Sequence, residues 1–172
     1  MQFKNPLFIA TIFTIGSLVT LSNATAETTT GEFKVGLTIQ AACNLTAGSS
    51  SNIDLGIVSD GSIKKGTNNI FVACSTGIPY KIGLLARNDG GAGGVGVLKG
   101  AKNGGAISII YKLTQDLNGD TPWGNTAGTN TVDGTGTGSL PSISYPVYAT
   151  TVGSTNVVAD TYSDTIDVTV TY

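Results

Sequence analysis

Alternation of apolar and polar residues with a period of two constrains this chain more than any other feature. The clearest example is residues 165–172, TIDVTVTY, whose apolar face carries Ile166, Val168, Val170 and Tyr172. A second example is residues 32–39, EFKVGLTI, whose apolar face carries Phe33, Val35, Leu37 and Ile39. A period of two is typical of half-buried β-strands, and no segment shows a convincing 3.6-residue apolar period. The chain is therefore predicted to be all-β.

Five further segments have the composition of short strands separated by turn residues. They are residues 52–56, 69–75, 79–86, 107–113 and 143–149. About seven short strands predict a β-sandwich. Pro146 predicts an edge position or a bulge for the last of these segments, because proline has no N–H to donate. The glycine-rich stretches 88–105 and 119–139 are predicted to be surface loops.

The first 26 residues have the pattern of a secretory signal peptide. Lys4 precedes an apolar run at residues 7–21, and small residues then end in Ala24-Thr25-Ala26, an A-x-A cleavage pattern. The run of about 15 residues is short for a bilayer span of about 20, so a membrane anchor is the weaker alternative. Cleavage would leave residues 27–172 in an oxidising compartment.

Cys43 and Cys74 are the two cysteines, and the chain contains no histidine. An even count in an exported protein predicts a disulfide, with two buried thiols as the alternative. The absence of histidine excludes Ser-His-Asp and Cys-His arrangements and most zinc sites. A net charge of −2 gives no support for nucleic-acid or anionic-membrane binding. No catalytic, cofactor-binding or metal-binding residue is predicted, and the protein is predicted not to be an enzyme.

Two motifs match known binding patterns only in part. Residues 91–96 satisfy G-x-G-x-x-G, but no helix-forming pattern follows, so a hairpin loop is predicted. Residues 116–120 begin like a calcium loop, yet Thr121 and Ala127 stand where such a loop has Gly and Glu. A turn is predicted there, with weak calcium binding as the alternative.

The alternating segment at residues 32–39 has two interpretations. It is an ordinary strand of a closed sandwich, or it adds to the open sheet of another subunit, where its alternate side chains fill a row of pockets. The pattern by itself favours the closed sandwich.

Several blocks of sequence, taken in order, resemble the spore coat U domain family, which includes the pilins of archaic chaperone–usher pili. The most specific blocks are residues 159–165, ADTYSDT, and 168–172, VTVTY. The others are residues 42–45, 53–56, 71–74, 110–114, 123–124 and 145–149. The resemblance covers essentially residues 27–172, and its order and spacing are more specific than any single block.

The resemblance implies an incomplete immunoglobulin-like β-sandwich that lacks its last strand and is completed by donor-strand complementation. Residues 27–40 would form the N-terminal donor extension and residues 41–172 the pilin domain. The donor side chains would be Phe33, Val35, Leu37 and Ile39. The strand bordering the vacant groove, and facing a chaperone, would carry Ile166, Val168, Val170 and Tyr172. Cys43 and Cys74 match the family's disulfide positions.

The resemblance also implies a structural subunit of a secreted surface fibre that supports adhesion or biofilm formation. Its partners would be identical or related pilin subunits, a periplasmic chaperone and an outer-membrane usher, with no nucleic acid and no cofactor. It would pass through the periplasm to a cell-surface fimbrium. The alternative is a self-contained secreted binding module, or a minor or tip adhesion subunit, for which Trp123 is the one candidate sugar platform. A hydrolase is a third alternative, without a supporting constellation of acidic residues.

Overall fold

A computed structural model describes residues 25–88, 90–102 and 104–172. All but the last two residues of the predicted signal peptide lie outside this range. The chain divides into two units, residues 1–38 and residues 39–172. Residues 25–42 have no assigned helix or strand. Within the described ranges, no helix is long and apolar enough to cross a membrane.

The second unit is built from short antiparallel strands. They are β1 (Cys43–Thr46), β2 (Lys65–Cys74), β3 (Pro79–Ala86), β4 (Val95–Gly100), β5 (Ser108–Thr114), β6 (Val132–Thr135), β7 (Ile143–Thr151), β8 (Tyr162–Ser163) and β9 (Ile166–Thr171). One turn of 3₁₀ helix covers Ser49–Ser51. The larger sheet has the order β1-β2-β7-β5-β4-β8, and the smaller sheet has the order β6-β3-β9.

The core lies between the two sheets. Its largest fully buried side chains are Trp123, Ile82, Leu84, Leu113 and Val72, which come from both sheets and from the loop after β5. Alternation places these residues on inward faces, as the period of two requires. The all-β sandwich predicted from the sequence is therefore what the chain forms.

The pairing of β9 with β3 follows the predicted alternation. Val168 is the register partner of Leu84 and Ile166 is the partner of Ala86, so the apolar side chains of both strands share the inward face. Asp167 lies on the outward face, where Arg87 binds its carboxylate through two nitrogens. This exposed ion pair contributes little to stability, but it marks the solvent side of the small sheet.

Several sequence predictions are wrong in detail. Residues 88–105 and 119–139 are not only loops, because they contain β4 and β6. Residues 52–56 form no strand. Residues 32–39 form none either, which contradicts their interpretation as a strand of a closed sandwich, while the donor interpretation stays a prediction. Glycine explains the missed strand β4: Gly96 faces inward without an apolar side chain, and a Cβ there would overlap the Tyr111 ring. Strand β6 is only four residues, VDGT, too short to show a period.

The prediction for Pro146 is wrong for the strand as a whole, since β7 lies between β2 and β5. The prediction of an edge position nevertheless fits the immediate surroundings of Pro146. Strand β5 pairs with β7 only over Tyr148–Thr151, whereas Pro146 is the register partner of Asn69 on β2. At Pro146, β7 therefore has one strand neighbour, and the missing N–H interrupts no ladder on its other side.

The predicted disulfide is confirmed. Cys43 and Cys74 are register partners across β1 and β2, and their sulfur atoms are bonded at 2.00 Å. Beside it, Ser75 N–H donates to the Ala42 carbonyl at 2.9 Å, and Ala42 N–H donates to the Ser75 hydroxyl at 3.1 Å. The start of the second unit is thus fixed to the end of β2 by one covalent bond and a pair of hydrogen bonds.

Candidate functional site: an open groove between the sheets

The edge of β9 away from β3 has no strand partner among the described residues. A strand edge presents a row of N–H and C=O groups, which makes it a template for pairing with another chain. The inward side chains of β9, Ile166, Val168 and Val170, are only partly buried although they pack on the core. An unpaired edge and an incompletely covered core therefore occur on the same strand.

Beside this edge lies a groove with a volume of about 650 Å³. Its floor consists of inward side chains from both sheets, namely Ile70, Leu84, Leu98, Tyr111, Leu113, Val147 and Ala149. Its rims are β9, with Ile166 and Val168, and the segment of residues 47–55. We refer to this space as the groove.

The rim opposite β9 contains the 3₁₀ turn Ser49–Ser51 and then residues 52–55, which belong to no strand. Ile53 and Leu55 point into the groove and pack on the core, whereas the intervening Asp54 accepts a hydrogen bond from the Gly56 N–H at 2.8 Å. Gly66 on β2 permits this close approach, because a Cβ there would overlap Ile53 and the Asp54 carbonyl. The groove is therefore bordered by the open edge of β9 on one side and by residues 47–55 on the other.

One end of the groove is closed by the chain itself. Strand β8 pairs with β4 in the large sheet, and β9 pairs with β3 in the small sheet. Asp164 and Thr165 make the crossing between the sheets, and both line the groove. The crossing is held by the Arg87 N–H, which donates to the Thr165 carbonyl at 2.9 Å.

A buried polar contact fixes the same end. The Tyr111 hydroxyl donates to Asp164 Oδ2 at 2.8 Å, while Asp164 Oδ1 accepts the N–H groups of Asn88 at 3.1 Å and Thr165 at 2.6 Å. Burial, together with the hydrogen bond to Asp164, raises the pKa of Tyr111 well above its ordinary value, so the phenol stays protonated. We call this contact the Tyr111–Asp164 bridge.

The residues predicted to border the groove are only partly brought together. Ile166 and Val168 line it, and Val170 packs on the core beside Ile82. Tyr172 lies beyond the end of β9 and lines a separate shallow depression with Pro79 and other residues of β3 and β6. It is 59 % exposed.

The residues predicted as donors share a different property. Phe33, Val35, Leu37 and Ile39 are all exposed, by 83 to 89 % of their surface. Four large apolar side chains at alternate positions in one extended segment are unusual for a soluble protein, because each forgoes about 1.5–3 kcal/mol of burial.

Sequence reasoning missed Tyr111, Asp164 and Leu98 as groove residues. The alternation of residues 107–113 places Tyr111 inward but does not name its partner, which lies 53 positions away. Leu98 belongs to β4, which lies within residues 88–105, where the sequence predicts a loop.

Two other candidate features have structural roles. Trp123 is 1 % exposed, and its indole N–H donates to the Ile82 carbonyl at 3.0 Å, so the sugar platform considered above is wrong. Asp116 forms the predicted turn, accepting N–H groups from Gly119, Asp120 and Thr121 at 2.7 to 3.1 Å. Those bonds, chiefly from Asp120, lower the pKa of Asp116 to about 2. The described residues contain no metal-binding cluster of three or more His, Cys, Asp or Glu side chains.

The fold and the groove define an immunoglobulin-like sandwich with one strand edge left open. Comparison with known proteins agrees with that class. The Spore Coat Protein U domain model matches residues 29–169, and the chain therefore belongs to this family. No curated protein matches the chain by sequence.

Among solved structures, one has a similar fold and a second is a weaker match. One is a crystal structure of the CsuC–CsuE chaperone–tip adhesion subunit pre-assembly complex from the archaic chaperone-usher Csu pili of Acinetobacter baumannii. It has 18 % identity and a TM-score of 0.51, with 78 % of this chain and 40 % of that chain covered. The other is a chaperone–tip adhesin complex described as vital for synergistic activation of CFA/I fimbriae biogenesis, with 15 % identity, a TM-score of 0.46, and coverage of 75 % and 41 %. This chain thus spans about two fifths of each matched chain.

Proposed function

We propose that this protein is a structural subunit of a secreted surface fibre, assembled head to tail by donor-strand exchange in an archaic chaperone–usher system. The observation that carries the proposal is the unpaired edge of β9 above an apolar groove of about 650 Å³. Membership of the Spore Coat Protein U domain family, and the similarity of the fold to a pilus subunit held by its chaperone, support it.

The groove and the N-terminal segment are complementary in chemistry. The groove offers the open edge of β9 and an apolar floor. Residues 27–40 form no helix or strand and carry exposed apolar side chains at every second position from Phe33 to Ile39. A strand inserted beside β9 would pair its backbone with the open edge while its apolar side chains cover the core.

The gain from such an insertion is large enough to hold subunits together. Burying four apolar side chains at about 1.5–3 kcal/mol each gives roughly 6–12 kcal/mol before the costs of ordering the segment. The contact is heterologous, since one subunit gives its segment and the other gives its groove. A heterologous contact that does not close on itself produces a filament.

The same geometry explains the need for a chaperone and an usher. Before assembly, subunits that expose the open edge and the apolar groove would aggregate. A chaperone strand is therefore expected to occupy the groove in the periplasm. The usher would then exchange that strand for the N-terminal segment of the next subunit. The fibre would lie on the cell surface and support adhesion or biofilm formation.

The test compares the mature chain, residues 27–172, with a chain lacking residues 27–40. We expect the full mature chain to polymerise. The shortened chain is expected to be poorly stable alone and to be stabilised by a peptide of residues 27–42 added in trans. A shortened chain that is a stable monomer and does not bind the peptide contradicts the proposal.

Three matched substitutions locate the effect on the donated segment. Val35→Asp and Leu37→Asp place a charge on the predicted donor face, whereas Thr38→Asp places the same charge on its opposite face. We expect the first two to abolish polymerisation without weakening the chaperone-bound subunit, because the defect falls on the neighbour's groove. Thr38→Asp is expected to polymerise. Equal behaviour of the three variants contradicts the assignment of the donor face.

A further inference from the structure

We propose that the Tyr111–Asp164 bridge positions the incoming strand: it closes one end of the groove and sets the register in which residues 33–39 of a second copy pair with β9. This inference rests on the proposed fibre function. It adds a positioning pair, an orientation and a register, none of which follows from the existence of the groove.

The position of the bridge supports this role. Asp164 lies where the chain crosses from the large sheet to the small sheet, immediately before β9 begins at Ile166. Tyr111 is 3 % exposed, and its ring passes over Gly96 of β4 to reach Asp164 at the end of β8. A strand sliding along β9 toward Ile166 would meet a bridged carboxylate instead of an apolar surface.

The bridge is held in place by its surroundings. Within residues 25–88, 90–102 and 104–172, the Asp164 carboxylate accepts hydrogen bonds from Tyr111 Oη and from the backbone N–H groups of Asn88 and Thr165. Gly96 leaves the space that the Tyr111 ring occupies. Displacing the bridge would leave a charged group and a phenol without partners in a largely buried place, which is costly.

Charge indicates the orientation of the incoming strand. The donated segment has two charged residues, Glu32 and Lys34, at one end and the uncharged Gln40, Ala41 and Ala42 at the other. Charged side chains are costly to place at the partly buried, closed end of the groove, so the uncharged end lies at the bridge. The incoming strand is then antiparallel to β9.

The limit at the bridge indicates the register. The last apolar residue of the segment is Ile39, and the last apolar residue of β9 before the bridge is Ile166. Placing Ile39 opposite Ile166 brings Leu37 opposite Val168. It also brings Val35 opposite Val170 and Phe33 opposite Tyr172. A shift of two residues toward the bridge would put Ile39 against the Asp164 carboxylate, which is unfavourable.

The experiment uses cysteine pairs in the full mature chain, on the outward faces of both strands. In the proposed register Gly36 lies opposite Thr169. A chain carrying Gly36→Cys and Thr169→Cys is expected to give a disulfide-linked ladder of oligomers on a non-reducing gel. Opposed Cβ atoms are about 4.5–5.5 Å apart, whereas those two residues out of register are about 7–8 Å apart and do not form the bond. A Cβ on Gly36 has no neighbour within 4 Å, so the substitution is tolerated.

Two neighbouring pairs serve as controls for register. Gly36→Cys with Asp167→Cys reports a shift toward the bridge, and Gly36→Cys with Thr171→Cys reports a shift away from it. We expect the Thr169 pair to exceed both by about tenfold. A second pair, Lys34→Cys with Thr171→Cys, is expected to link as well, whereas a parallel strand would favour Lys34→Cys with Asp167→Cys. Peptide mapping verifies that Cys43 and Cys74 remain bonded to each other.

The role of the bridge is tested by Tyr111→Phe, which removes the hydroxyl and keeps the ring. We expect the preference for the Thr169 pair over the Asp167 pair to fall from about tenfold to less than about threefold, because the limit toward Asp164 is weakened. A merely structural role would lower thermal stability without redistributing the links. Asp164→Asn is a second variant in case Tyr111→Phe is poorly folded.

The outcomes separate this inference from the proposed function. Ladders that form equally with all three Gly36 pairs, or that keep their distribution in both bridge variants, overturn the positioning role and leave the fibre function standing. A wild-type chain that does not polymerise, and gives no ladder with any pair, overturns both.

Discussion

The indole Nε1 of Trp123 donates a hydrogen bond to the backbone carbonyl of Ile82 at 3.0 Å, and both residues are almost completely buried. The ring also makes an edge-on contact with Tyr145, with 6.5 Å between ring centroids. Trp123 thus joins the loop after β5 to the middle of β3 and fills the core between the sheets.

Replacing Trp123 by Phe is expected to destabilise the domain by about 1–3 kcal/mol. The substitution leaves the Ile82 carbonyl without its buried donor and leaves part of the ring's space empty. The free energy of unfolding in urea, followed by circular dichroism, measures the effect. Val158→Ala at an exposed position is the control and is expected to stay within about 0.5 kcal/mol of the wild type. Equal midpoints for the two variants contradict the assigned role of Trp123.

The hydroxyl groups of Tyr80 and Tyr145 lie 2.6 Å apart and are expected to be energetically coupled. Either single change to Phe leaves one hydroxyl without its partner, whereas the double change removes both polar groups. We expect the double variant to be less destabilised than the sum of the two singles, with a coupling of about 1 kcal/mol. Tyr148→Phe, on the outward face of β7, is the matched control. Strict additivity of the two singles contradicts a hydrogen bond between them.

Asp116 is expected to give the loop after β5 a stability that depends on pH. Backbone N–H groups, chiefly that of Asp120, lower the pKa of its carboxyl to about 2 in the folded protein. Because the pKa of Asp116 is lower in the folded state, the carboxylate stabilises the folded state at pH values above its unfolded pKa of about 4. This contribution to stability is lost as the pH falls toward 2. Titration of the Asp116 carboxyl carbon by NMR measures the pKa. A midpoint near 4, or an Asp116→Asn variant with unchanged acid sensitivity, contradicts the prediction.

Val168 and Thr169 offer adjacent positions on opposite faces of β9, which makes them a matched pair for testing the groove. Val168→Asp puts a carboxylate into the apolar groove, whereas Thr169→Asp puts it into solvent. We expect Val168→Asp to lose polymerisation and binding of a residue 27–42 peptide by at least about a hundredfold, given the cost of burying a charge. Thr169→Asp is expected to retain both within about threefold. Similar losses in both variants would place the partner elsewhere.

Removal of the disulfide is expected to be strongly destabilising. A cross-link between residues separated by 31 positions restricts the unfolded chain, which corresponds to about 3.5 kcal/mol in the chain-entropy model. The free energy of unfolding of the double variant Cys43→Ser, Cys74→Ser, compared with that of the oxidised wild type, measures this loss. The reduced wild-type chain is the control, because it lacks the cross-link but has the same sequence as the oxidised chain. A double variant as stable as the oxidised wild type contradicts the prediction.

Two strands were predicted well from the sequence, whereas residues 32–39, which alternate as clearly, form no strand. The bounds of β3 agree with the predicted residues 79–86, and β9 falls within residues 165–172. Both strands have one face on the core and one face in solvent, so burial imposes the period of two on their side chains. The disulfide was predictable for a different reason, since only two cysteines were present.

The groove could not be predicted residue by residue. Its floor contains Leu98 from a strand with glycine at its inward positions, where the apolar pattern is weak. Its closed end depends on Tyr111 and Asp164, which are distant in sequence and meet because only β4 separates β5 from β8 in the large sheet. Asp164 lies within the sequence block that carried the family resemblance, but a block of sequence does not identify a partner on another strand. Long-range sheet pairing, which local patterns do not encode, decides these contacts.

The position of the disulfide has a consequence for how the domain responds to tension. A pull applied to residues 27–42 reaches the folded domain at Cys43, the first residue of a four-residue edge strand that pairs with β2 alone. Without a cross-link, the load would peel β1 from β2 one hydrogen bond at a time. The Cys43–Cys74 bond transfers the load directly to the last residue of β2, a ten-residue strand paired on both sides. The force path therefore bypasses the short β1–β2 ladder and enters β2, which is also paired with β7 from Lys65 to Val72.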